Sequence, residues 1–249
     1  MKIYRLMVAA ATMLLVAVQS KAEVEVHDKA DIPFVSYEKY SNEAFGLDLQ
    51  MPKGFVDGRR MCSYRPASSG GGTGITWAVG AMLQSSDKQC AVLMPDMMWR
   101  GHDLAADAVG DVNDFVQCEV YWSVKGALWH EYLVNHPAIS MAKYEKRLAA
   151  SKFNADTAVL VTLPVNDTIM GQRYVNRNLL ILKKADRPVV LVDLFFTDKG
   201  AKNKDKYFAE VWGAVKYAKN PGWHYDASLA SKLRQEHLKN YVDNYFFLR

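Results

Sequence analysis

Two histidines bracket a glutamate in His130-Glu131-Tyr132-Leu133-Val134-Asn135-His136, the nearest the chain comes to a metal motif. A zinc-protease helix needs its second histidine four residues after the first, so that both imidazoles reach one ion. Position 134 is valine, so the motif fails. On a strand, residues 130 and 136 share a face but stand about 20 Å apart, too far for one metal. Asp103, Asp107, Asp111 and Asp114 recur at helical spacing, whereas calcium loops draw ligands from alternate residues around a glycine. They read as a solvated helix face. Ser-x-x-Lys occurs at Ser36 to Lys39, Ser85 to Lys88 and Ser140 to Lys143, without the companion motifs of that hydrolase class. The loop Ser68-Ser69-Gly70-Gly71-Gly72-Thr73-Gly74 lacks the lysine of a phosphate loop, and Trp77 stands where G-x-G-x-x-G needs its last glycine. The expectation is no catalytic set, no cofactor and no metal site. A rival hydrolase reading would have to rest on His102, Asp103 and His130.

Other polar residues carry structural expectations. Asp193 lies in an apolar strand, where a carboxylate is costly unless paired, and Arg177 is a candidate partner. His237 falls in the stripe of the last helix and reads as a hydrogen-bonded residue at the core edge. Cys62, Cys90 and Cys118 allow one disulfide in any of three pairings, with one thiol left over. Trp77, Met97, Met98, Trp99, Trp122 and Trp129 make the middle segment more aromatic and methionine-rich than a core needs, which marks it as a possible contact surface. Asp156-Thr157-Ala158 and Asp167-Thr168-Ile169 resemble the short O-glycosylation acceptor motif of some exported bacterial proteins, with Thr157 and Thr168 as acceptors.

The elements that must position these residues follow from periodicity. Residues 23–36 read as a polar leader. Phe45, Leu47, Leu49 and Met51 alternate with small or polar residues as in a half-buried strand, and Pro52-Lys53-Gly54 supplies its turn. Ile75 to Leu83 and Cys90 to Met94 form a hairpin. Helical spacing from Asp103 to Val116 precedes strands at Cys118 to Val124 and Ala127 to Val134. Pro137 starts a helix running from Ile139 to Lys152. Ala158 to Leu163 is an apolar strand stopped by Pro164, and Tyr174 to Lys183 and Val189 to Phe196 join through Ala185-Asp186-Arg187-Pro188. The last strand is apolar on both faces apart from Asp193, so both faces should be covered. Tyr207, Phe208, Val211, Trp212, Val215 and Ala218 form one helical stripe, and a terminal helix spans about 227–245. The fold expected is α/β: a mainly antiparallel sheet covered by helices on both faces.

The ends and the composition set the compartment. Lys2 and Arg5 precede an apolar run from Leu6 to Val18, and Ser20 and Ala22 fit a cleavage site after Ala22. Residues 1–22 are expected to be a signal peptide, and 23–249 one soluble domain, exported to the periplasm or secreted. The run is too short for a bilayer span, which takes about 20 residues. No cysteine follows it directly for a lipid anchor. The chain's 31 basic and 27 acidic residues give +4, and loss of Lys2, Arg5 and Lys21 lowers this to +1. No basic stretch exceeds Lys183-Lys184, so neither nucleic acid nor an anionic membrane surface is an expected partner.

Tyr40-Ser41-Asn42, Phe45-Gly46-Leu47 and Met51-Pro52-Lys53-Gly54-Phe55 resemble the opening of the PsbP-like family, in which a tyrosine precedes a glycine-containing strand and a Pro-x-Gly-aromatic turn. Two long strands followed by an amphipathic helix, Tyr174 to Ala218, are similar to its close. The resemblance implies an α/β/α sandwich that acts by binding other proteins, and it carries over no catalytic residues. The function expected is that of an exported binding or accessory protein whose partner is another protein or a small ligand.

Overall fold

The computed structural model describes residues 23–26, 33–59, 62–65, 77–96, 98–99, 102–103 and 140–239. In chain order they form β1 (Glu23–Val26), α1 (Phe34–Phe45), β2 (Leu47–Leu49), β3 (Phe55–Arg59), β4 (Cys62–Arg65), β5 (Trp77–Ser85), β6 (Cys90–Pro95), β7 (Met98–Trp99) and β8 (His102–Asp103). Then come β9 (Ser140–Lys143), α2 (Lys146–Phe153), β10 (Thr157–Ile169), β11 (Gln172–Lys183), β12 (Val190–Phe196), α3 (Asp198–Lys202), α4 (Lys204–Ala214), β13 (Val215–Tyr217) and α5 (Ala227–Lys239). Nine strands join one sheet in the order β1-β4-β5-β6-β12-β11-β10-β9, with β3 beside β4 on the edge of β5, and its pairs are antiparallel.

Alternation along the central strands sorts side chains between two faces. Ala81, Leu83, Cys90, Val92, Met94, Leu180, Leu182, Val190, Val192, Leu194 and Phe196 point to one face, where α1, α2, α4, α5 and the β2–β13 ladder cover them. Phe34, Tyr37, Tyr40, Ala44 and Phe45 of α1 recur every three to four residues, and this apolar stripe is what docks the helix. On the other face Ala91, Leu93 and Phe195 pack with Cys62, Tyr64, Val79, Met82, Ile169 and Tyr174. Much of this second cluster comes from the sheet curling on itself. A bulge between Pro164 and Asp167 bends β10, and the hairpin tip carries Met170 over to Gly58 of β3, where its thioether fills the space a side chain would take. All seven residues of β12 are buried, as expected for a strand covered on both sides. A second helical layer is not found among the described residues, so the architecture they show is a curled antiparallel sheet with helices packed on one face.

Several expected elements are corrected. Residues 23–36 are not a plain leader, since β1 and the start of α1 lie within them. The strand expected from Phe45 shrinks to β2, because Phe45 ends α1 and Gly46 caps that helix in the left-handed region at φ +64°. Ile139 to Lys152 is half strand and half helix: Ser140–Lys143 pairs with β10 before α2 begins. Pro164 does not stop β10, which absorbs it beside the bulge. Val215 and Ala218 are not helical, because β13 pairs with β2 instead. The helix expected at 103–116, the strands at 118–124 and 127–134, the Gly-rich loop, residues 1–22 and the terminal helix beyond Lys239 lie outside the described residues.

Gly46 ties three segments together. Its amide donates to Asn42 O at 3.0 Å, Ala218 N donates to its carbonyl at 2.9 Å, and Arg187 lies against it. The Arg187 guanidinium stacks on Trp223 at 4.1 Å and donates to Asn220 O at 2.9 Å. A Cβ at position 46 would sit 2.0 Å from Arg187 Nη1. Gly46→Ala therefore meets both a strained φ and a displaced guanidinium. A loss of about 1–3 kcal/mol in urea unfolding is expected, and an unchanged midpoint would refute this role.

Candidate functional site

The ionisable side chains that the fold buries gather in two places. The first lies where α1 and α5 meet the end of β6. Asp96, fully buried, accepts from Arg234 Nε at 3.0 Å and from the Tyr40 hydroxyl at 3.4 Å. Tyr37 donates to Pro95 O at 3.5 Å, and His237 stacks on Tyr40 with ring centroids 4.7 Å apart. Ser36, Lys39, Tyr40 and Glu43 of α1 face Leu233, Glu236 and His237 of α5 across a recess of about 240 Å³. The sequence places these groups by spacing alone: Ala230, Leu233, Arg234 and His237 fall on one stripe of α5, and Tyr37, Tyr40, Ser41 and Ala44 on one stripe of α1.

The second place is the concave side of the curled sheet. Arg177 Nε donates to Asp193 Oδ1 at 2.6 Å, and both residues are buried, which is the pairing the isolated carboxylate demanded. The Tyr64 hydroxyl donates to Asp167, and Gln84 Nε2 donates to the Tyr174 hydroxyl at 3.1 Å. On the helix-covered face a separate recess of about 260 Å³ lies beside Lys53, Phe55, Asp87, Lys206, Tyr207 and Glu210. There Asp87 accepts from Ser85 at 2.7 Å and from Tyr207 at 2.8 Å.

Electrostatics hold these groups in their unreactive forms. Burial, reinforced by the charge of Asp96, pushes the Tyr40 phenol well above its ordinary range, and burial with Asp167 does the same to Tyr64. Burial pushes Tyr174 up to about 12. Burial also pushes the Cys90 thiol up, away from the nucleophilic thiolate. Partial burial opposes ionisation of Asp87, but the hydrogen bonds from Ser85 and Tyr207 outweigh it and lower the carboxyl. At neutral pH the phenols are donors and Asp87 is an acceptor.

The candidate residues read from the sequence fare differently. Met98 and Trp99 form β7, which pairs with His102 and Asp103 of β8 in the register Met98↔Asp103 and Trp99↔His102. The backbone thus brings part of the expected contact surface beside two members of the rival hydrolase cluster. Met97, Trp122, Trp129, His130, His136 and Cys118 lie outside the described residues. Cys62 and Cys90 belong to separate clusters on opposite faces of the sheet and are not bonded to each other. Thr157 opens β10 and Thr168 lies near its end, exposed. Among the described residues no group of three His, Cys, Asp or Glu side chains could hold a metal ion, and no helix is long and apolar enough to cross a membrane. Tyr40, Asp96 and Arg234 are the residues that motif reading misses. Their signal is a cation inside an apolar helical stripe.

Two measurements test this description. Arg234→Met leaves the buried Asp96 carboxylate without its cation, and a loss of about 3–5 kcal/mol in urea unfolding is expected. Asp96→Leu combined with Arg234→Met should recover part of that loss. A silent Arg234→Met would show that the pair does not clamp α5. For Tyr174, the raised folded-state value means that its stabilising contribution is complete below about pH 10 and falls away between about pH 10 and 12, at about 1.4 kcal/mol per pH unit. Tyr174→Phe should flatten alkaline unfolding across that window, and an unaltered slope would contradict the shift.

No family profile matches the chain, and no curated protein is similar to it. Among solved structures the chain is similar to the solution structure of cyanobacterial PsbP (CyanoP) from Synechocystis sp. PCC 6803, at 10% identity and a TM-score of 0.30, over 82% of this chain and 95% of that one.

Proposed function

We propose that this is an exported, non-catalytic binding or accessory protein acting through contacts with another protein or a small ligand. The supporting observation is the condition of the recess between α1 and α5. It is open, rimmed by Ser36, Lys39, Glu43 and Glu236, and floored by the stacked Tyr40 and His237. The ionisable groups beneath it are committed to one another: Asp96 accepts from both Arg234 and Tyr40, which pins two helices to the end of a strand. A floor built this way is rigid, and rigidity lowers the cost of binding. Burial holds Tyr40 protonated and its hydroxyl is spent on Asp96, so the floor offers ring surface where a hydrolase would need a base.

Export belongs to the same proposal and rests on residues 1–22. So does the arrangement of helices on both faces of the sheet, as in an α/β/α sandwich. What favours it is that β12 is buried throughout, while the helices described pack against one side.

The test is a screen of the mature chain, beginning at Glu23, against ester, peptide and glycoside substrates beside its His237→Ala and His102→Ala variants. No turnover is expected above the uncatalysed background. A turnover abolished by either variant, with the fold intact, would replace this reading with that of a hydrolase.

A further inference from the structure

The edge of the sheet at β9 carries an inference that the recess does not. Along the path of the sheet β9 is terminal, paired with β10 on one side and, among the described residues, with no strand on the other. All four of its residues are exposed, Met141 at 50%. The ladder sets the direction of its main chain. Tyr144 N donates to Ala158 O at 2.9 Å, and the register continues Lys143↔Val159, Ala142↔Leu160 and Met141↔Val161. In an antiparallel pair, hydrogen-bonded and non-hydrogen-bonded positions alternate. The amides and carbonyls of Met141 and Lys143 therefore point away from β10. Such an edge is a template for another strand, and sheets commonly blunt it. The short strand β2 shows such blunting, since Asn42 Nδ2 donates to Leu47 O at 3.1 Å.

Charge selects among the strands that could add. Between Ser140 and Phe153 the chain carries Lys143, Lys146, Arg147 and Lys152 against one acid, Glu145. All four cations are exposed, and none is ion-paired with a described residue. Lys184 adds to them by donating to Asn154 O at 2.9 Å, at the end of α2. A chain with a total of only +4 is thus locally positive beside this edge.

We propose that the β9 edge receives an extended acidic segment of a partner protein as an added strand. The main chain of Met141 and Lys143 bonds it, Met141 gives it an apolar contact, and Lys143, Lys146 and Arg147 meet its carboxylates. This rests on the binding reading above and assigns it a surface and a partner chemistry.

The probe is a blocked, fluorescently labelled decapeptide alternating glutamate with valine, titrated into the mature chain by anisotropy at low and at physiological salt. Saturable binding that weakens with salt is expected, and the matching lysine–valine peptide should not bind. Met141→Pro removes an outward-facing amide and the methionine side chain together but no bond to β10, so the ladder and the melting temperature should be preserved while affinity falls at least tenfold. Met141→Ala, which removes the side chain alone, should lose less. The double variant Lys143→Glu, Arg147→Glu should lower affinity for the acidic peptide by a similar factor, and it tests the charge term without touching the backbone. Binding that survives Met141→Pro, or an equal affinity for single-stranded oligonucleotides or anionic phosphatidylserine vesicles, would show charge attraction without strand addition and overturn the proposal. Absence of peptide binding would overturn this surface but leave the binding role standing. Turnover in the substrate screen would overturn that role alone.

Discussion

The contact between Arg177 and Asp193 sets the register on which the rest of the sheet depends. Arg177 pairs with Phe195 and Asp193 with Leu179, so the two ionic side chains meet diagonally on the same face of β11 and β12. A slip of one residue would turn that carboxylate toward Val192, Leu180 and the helices. Buried charges tolerate no such error, because a lone carboxylate in that layer would cost several kcal/mol. Once β11 and β12 are locked, β12 aligns β6 through Asp193↔Leu93 and Phe196↔Cys90, and β6 in turn delivers Asp96 to the point where α1 and α5 converge. One buried pair thus specifies the register, and a second uses it to fasten the helices. Neither pair need add much net stability for this to hold; what they supply is a single alignment.

Much of this frame was legible in the sequence for a physical reason. A strand buried on both faces must be apolar at every position, so β12 and its lone Asp193 stood out, and the demand for a cation led to Arg177. The hairpin β5–β6, the turn-linked strands β11 and β12 and the first half of β10 were legible from their apolar runs. What stayed hidden depended on partners remote in sequence. α1 is rich in Tyr, Phe, Ser and Asn, which are indifferent helix formers, and its docking on α5, β2 and the sheet makes it helical. Val215 and Ala218 continue the apolar stripe of α4, but pairing of Val215 and Tyr217 with Leu49 and Leu47 supplies ladder bonds that a helix end would lack. Pro164 reads as a stop, yet at a bulge its missing amide costs little. The polar clusters were hidden for the same cause. Tyr40, Asp96 and Arg234 span nearly two hundred positions of sequence, and no spacing rule links them.

The same separation between local and remote information governs what the surface can recognise. Net charge sums over the chain, whereas a partner meets only what lies within about a Debye length, near 8–10 Å. At β9 and α2 the fold collects four exposed cations around one acid, Glu145, and none of them is ion-paired with a described residue. The small total of +4 argues against a long polyanion that would sample the whole surface. It says nothing against one short acidic strand that needs three cations and a few open main-chain groups. Composition therefore constrains the size of the proposed partner more firmly than its sign, and the edge, open among the described residues, would supply what charge alone cannot, a direction and a register for an added strand.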